Sequence, residues 1–185
     1  MTNNGCTILC CAFLLMATVA GACTMTVCSA CANWSADDTP TWELAADNRA
    51  CSDELVASIK TVADGLSIEP GYLLAIGHVE SRNNHYDADG NVQRGDNGRA
   101  IGWGQVHRCP WQNWASEQIG LPVNLDDLLD NVTVCGMILL RGGYDIDDDT
   151  TWEPAAAYYN TGKHLNSTSY SRAVMKQLAM IKDGE

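Results

Sequence analysis

The stretch from Tyr72 to Gln105 constrains the chain most. It runs Y-L-L-A-I-G-H-V-E-S-R-N-N, then a polar segment rich in Asp, Gly and Asn, then G-R-A-I-G-W-G-Q. Tyr72, Leu73, Ile76 and Val79 recur at helical spacing and predict a helix from about Pro70 to Arg82, whose apolar face the rest of the chain must cover. Pro70 suits the first turn of that helix. Asn83 and Asn84 are poor helix formers and end it. Glu80 lies at the end of the apolar face. Shielding from water disfavours a charged carboxylate and raises its pKa, which is the condition a general acid needs. The plainer reading makes Glu80 the first solvated residue after a core helix, because glutamates are mostly exposed.

Three motifs shift the balance. E-S at Glu80–Ser81, G-W-G-Q at Gly102–Gln105 and A-Y-Y-N-T-G at Ala157–Gly162 occur in that order, with a long helical stretch between the last two. The ordered set resembles the soluble, lysozyme-like lytic transglycosylases, including forms carried by bacteriophages and conjugation systems. Their pattern is E-S, then G-L-M-Q or G-x-G-Q, then A-Y-N-x-G. The resemblance covers about Ser52 to Met180. It implies a mainly α, lysozyme-like α+β fold with a small β lobe beside the active-site cleft. It implies Glu80 as the catalytic acid, and Ser81, Gly102, Trp103, Gln105, Tyr159 and Asn160 as the residues that meet the glycan. Trp103 and Tyr158 depart from the family, which often has smaller residues there.

The chemistry implied is cleavage of the MurNAc–GlcNAc bond of peptidoglycan by one carboxyl. Glu80 protonates the bridging oxygen, then accepts a proton from the C6 hydroxyl of the muramic acid, which closes on C1 to give a 1,6-anhydro sugar. No cofactor and no metal enter. Each residue also has a structural reading. Ser81 can be a helix-end contact, Tyr159 and Asn160 a buried hydrogen-bonded pair, and Trp103, Trp111 and Trp114 core anchors rather than a glycan groove. A second resemblance, to goose-type lysozyme, lies in R-G-D-N-G-R-A-I-G-W-G-Q. It implies a hydrolase in which Asp96, with Asp87 and Asp89 behind it, positions a water. A third reading keeps the fold for glycan binding alone, and Glu80 beside all three motifs speaks against it.

The net charge of -12 and the lack of a basic patch argue against nucleic acid as the main partner. They argue equally against electrostatic binding to an anionic membrane surface. Thr7–Ala22 is apolar and uncharged, too short for a membrane span but suited to a signal-peptide core, with Ala20-Gly21-Ala22 before Cys23 like a cleavage or lipidation site. Met1–Gly5 lacks Lys and Arg, which export signals normally carry. The expectation is therefore an apolar attachment segment over 1–31, docking on other virion proteins or a membrane in a phage particle that acts in the host envelope. The alternative is an exported, membrane-anchored bacterial protein. A polar linker over 32–50 and a catalytic domain over 51–185 follow. Of nine cysteines, six lie at or before Cys31. Cys28 and Cys31 lack a second pair at zinc spacing. Cys51, Cys109 and Cys135 leave room for one disulfide and one thiol.

The rest of the chain reads mostly as helix. Ser52 to Leu66 reads as a helix, capped by Ser52 and Asp53, with Leu55, Val56, Ile59 and Val62 inward and Gly65 ending it. The segment 86–99 predicts a hairpin or irregular lobe with turns at Asp89-Gly90 and Asn97-Gly98. D-A-D-G-N at 87–91 opens like a calcium loop, but Gly98 stands where that loop needs an acid. Leu125–Leu140 forms a helix with Leu125, Leu128, Leu129, Val132, Cys135, Gly136 and Leu139 inward. Thr151–Tyr159 and Ser169–Ile181 form the last two helices.

Overall fold

The structure, a computed structural model, describes residues 41–48 and 51–184. The apolar segment 1–31 and Trp34 lie outside the described residues. Seven α-helices are described: α1 (Thr41–Asn48), α2 (Asp53–Leu66), α3 (Pro70–Ser81), α4 (Asn113–Ile119), α5 (Leu128–Arg141), α6 (Trp152–Thr161) and α7 (Ser169–Lys182). Between α3 and α4 lies a small antiparallel sheet, β1 (Arg94–Gly95), β2 (Ala100–Ile101) and β3 (Val106–His107), in the order β1-β2-β3. The fold is thus mainly α with a small β lobe.

Helix α3 is the centre. Every residue from Gly71 to Ile76 is at or near zero exposure or buried, and Gly77 is buried too. The sequence G-Y-L-L-A-I-G carries no charge, so all its sides can be covered, and a helix apolar all round is a core helix. It packs on α7, α2, α1 and α5, while α2 packs on α5 and α6 lies between α5 and α7. The stripe Tyr72, Leu73, Ile76, Val79 therefore understates the burial: Leu74 and Ala75 are equally enclosed.

Part of the expected linker belongs to the domain. Residues 41–48 form α1, and Trp42, Ala45 and Ala46 are buried against α3 and α7. Those three residues share one helical face at i, i+3 and i+4. The acidic flanks hide that short pattern, and Lys60 Nζ holds Glu43 Oε1 at 3.5 Å. The domain boundary moves from 51 to 41.

Three other expectations change in detail. Helix α2 ends at Leu66 as expected, but Ser67, not Gly65, takes the left-handed conformation (φ 53°) that closes it. Ser52 caps it as expected, accepting from Leu55 N at 3.2 Å. Leu129 points outward, 39 % exposed, and Asn131 takes an inward place instead. Helix α4 has no counterpart in the sequence reading. Cys109 and Cys135 are not joined by a disulfide: both are free thiols, Cys109 exposed and Cys135 buried.

The lobe forms as expected. Asp87 Oδ1 accepts from the backbone of Asp89 and Asn91, both at 2.9 Å, and so organises the first turn. Asp96, Asn97 and Gly98 form the second, all with positive φ. Among the described residues no helix is long and apolar enough to cross a membrane.

Candidate active site

Helix α3 delivers Glu80 to its last turn. The chain then turns sharply through Arg82 (φ 59°) and Asn83 (φ 62°), with Asn83 N donating to Gly77 O at 3.1 Å, and enters the lobe. A cleft of about 540 Å³ opens at this junction. Its walls are Glu80 from α3, Asp96, Ala100, Gln105, Val106 and His107 from the lobe, Pro110 and Trp111 before α4, Ile138 from α5, and Tyr159 to Gly162 at the end of α6.

Burial raises the Glu80 carboxyl from 4.5 to about 7, with the nearby Tyr170 hydroxyl pulling the other way. Tyr170 Oη influences Glu80 yet makes no hydrogen bond of standard geometry, and it is itself buried. Proximity, not an established bond, is therefore what the two share. No basic side chain pairs with Glu80 among the ion pairs of the described residues. Its other neighbours are neutral acids. Burial pushes the Cys135 thiol up to about 12, and holds the Tyr159 and Tyr170 phenols well above 10. Among the described residues nothing stabilises the carboxylate by opposite charge, so Glu80 carries a proton well above the ordinary range.

A buried polar frame fixes the G-W-G-Q turn below the cleft. Asn131, fully buried, accepts from Gly104 N at 2.9 Å and donates to Ile101 O at 2.9 Å and Leu125 O at 3.0 Å. Tyr159 donates to Gly104 O at 2.5 Å, and Cys135 Sγ lies 3.1 Å from the Tyr159 oxygen. Because that phenol has spent its proton on Gly104, the thiol is the donor in the second contact. Only glycine fits at 104, since a Cβ there would lie 2.0 Å from Cys135 Sγ. His85 Nδ1 accepts from Trp103 N at 3.1 Å, so its Nε2 carries the proton given to Asp126 O at 3.0 Å, and the ring is neutral.

The structure brings Glu80, Gln105, Tyr159 and Asn160 onto one cleft, together with Asp96. It does not bring Ser81, Gly102 or Trp103 there. Ser81 is buried, and its hydroxyl donates to Gly77 O at 3.2 Å within the helix. Gly102 is buried beneath His85 and Asn131. Trp103 has no exposed surface, and its Nε1 donates to Asn83 Oδ1 at 3.1 Å. These three build the floor from behind. Tyr159 also turns its hydroxyl inward, leaving only ring surface to the cleft. Gln105 (φ 47°) folds back, with Nε2 donating to Gly102 O at 2.8 Å.

Asn131, Tyr170 and His107 escaped the site reading, and of the three tryptophans weighed for a glycan groove, Trp103, Trp111 and Trp114, only Trp111 lines the cleft. Asn131 carried a usable signal: it sits three residues after Leu128 and four before Cys135, a polar residue on an inward face. Tyr170 heads the inward stripe Val174, Leu178, Ile181 of α7. His107 had no motif to mark it.

Comparisons with protein-family models, with curated proteins and with solved structures return no match.

Proposed function

We propose that this chain is a peptidoglycan lytic transglycosylase on a lysozyme-like fold. One observation carries the reading: Glu80 is a shielded carboxyl on the cleft, protonated up to about pH 7, with no equally shielded carboxyl beside it among the described residues. A shielded acid can give its proton to the bridging oxygen of the glycosidic bond. The leaving sugar departs as its alcohol, and positive charge builds at C1 of the muramic acid. The Glu80 carboxylate then takes the proton of the C6 hydroxyl, whose oxygen bonds to C1. The acid returns to its protonated state, and no water is consumed. Asn160 supplies an exposed amide to the sugar, and Gln105 borders the same space. The apolar segment 1–31 fits attachment in a phage particle that opens the cell wall locally.

Asp96 favours a second reading, a hydrolase of the goose-lysozyme kind, because it lines the same cleft. Its side chain is 44 % exposed and lies 3.7 Å from His107 Nε2. An exposed, hydrated carboxylate is a poor base for a water that must be seated and desolvated. Asp96→Asn is therefore expected to retain peptidoglycan cleavage within a few-fold in a turbidity assay. Loss as severe as that of Glu80→Gln would favour the hydrolase.

A further inference from the structure

Trp111 stands on the cleft wall, half-buried, with Thr161 and Gly162 lining the same cleft. Its ring is fixed from two sides. Trp114 meets it at 5.4 Å between centroids and 78°, and Tyr158 at 6.3 Å and 60°. The side chain is only half-buried and lines the cleft, so ring surface remains for a ligand. Both supports are locked by one residue. The Arg141 guanidinium lies over Trp114 at 5.0 Å, and its Nε donates to Tyr158 Oη at 3.0 Å. Trp111 is thus held by residues of α4, α5 and α6 before any ligand arrives, so its ordering cost is already met.

A preorganised aromatic ring beside exposed polar groups suits a pyranose. The C–H face of the sugar is apolar and packs on the ring, while its hydroxyls and acetamido group need partners. Asn160, exposed on the same cleft, offers an amide, whereas the Thr161 hydroxyl gives its proton to Ala157 O at 2.7 Å and accepts from Lys163 N at 3.2 Å. Among the described residues the remaining cleft wall offers no other tryptophan: Trp103 is enclosed, and Trp152 is buried against Tyr72 and Tyr144.

We propose that Trp111, buttressed by Trp114, Tyr158 and Arg141, is the stacking platform of a further glycan subsite and sets the length of strand this cleft prefers. The proposal rests on the transglycosylase reading. The test uses Glu80→Gln as a binding-competent chain and titrates it by calorimetry with GlcNAc–MurNAc di-, tetra- and hexasaccharides. Affinity rises with length in Glu80→Gln. Adding Trp111→Ala weakens the longer fragments by about tenfold, in the range of aromatic anchors, and removes the gain with length, whereas Trp111→Phe keeps part of it. Circular dichroism checks the fold, and the Phe variant carries the test if the Ala variant unfolds. Equal weakening at every length, or none, overturns the proposal while parent cleavage of peptidoglycan leaves the enzyme reading standing. A parent that neither cleaves peptidoglycan nor, as Glu80→Gln, binds any fragment overturns both.

Discussion

Glu80→Gln is expected to fold normally and to lose peptidoglycan cleavage by at least about 10²–10⁴-fold, the range of positioned general acid–base catalysis. The amide matches the carboxyl in shape but has no proton to give at neutral pH. The parent should lose activity as pH rises through about 7, because the first step needs protonated Glu80. Stability moves with it. Between 4.5 and about 7 the folded chain keeps a proton that the unfolded chain has released, so stability falls as pH rises across that window. Glu80→Gln carries no such penalty. It should melt higher than the parent at about pH 8, with the gap closing as pH falls to the ordinary carboxyl range. Near-parent cleavage by folded Glu80→Gln removes Glu80 from the chemistry.

Gly77→Ala is expected to destabilise the fold by about 3 kcal/mol, the upper end for overpacking a core. Ala normally gains about 1 kcal/mol over Gly inside a helix. Here the added Cβ would sit 2.0 Å from Trp103 Cε2 and 2.2 Å from Cζ2. The ring cannot retreat, since it is fully enclosed and its Nε1 is held by Asn83. The clash outweighs the helix gain. A thermal melt should fall by roughly 10 °C for a domain of this size. Shrinking the ring in Gly77→Ala/Trp103→Leu should recover part of the loss relative to the sum of the single changes. An unchanged melting temperature for Gly77→Ala would mean that Trp103 does not press on α3.

The contrast between Glu80 and Trp103 shows how much of the site was legible in the sequence. Glu80 could be placed because an uncharged helix ending in an acid leaves that acid at the edge of the core, and burial alone predicts a raised pKa. The helices were legible for the same reason, through stripes such as Leu55, Ile59 and Val62. Trp103 could not be sorted from Trp111 by sequence, because both are aromatic residues in a loop. Which one is enclosed depends on Gly77, in another element, leaving a hollow for the indole. Helix α1 was missed because its buried face is only Trp42, Ala45 and Ala46, set among polar residues. Ser81 and Gly102 were assigned to the glycan through motif resemblance, and the backbone path turns both away from the cleft. Asn131 was hidden because its three partners are backbone groups brought together only by the fold.

The central claim is that the C6 hydroxyl of the muramic acid, not water, attacks C1. Mass spectrometry of the fragments released from purified peptidoglycan tests it most directly. The account predicts fragments ending in 1,6-anhydro-N-acetylmuramic acid, one water lighter than reducing ends. Fragments ending in reducing muramic acid, and lost on Glu80→Gln, would contradict it and make the enzyme a hydrolase.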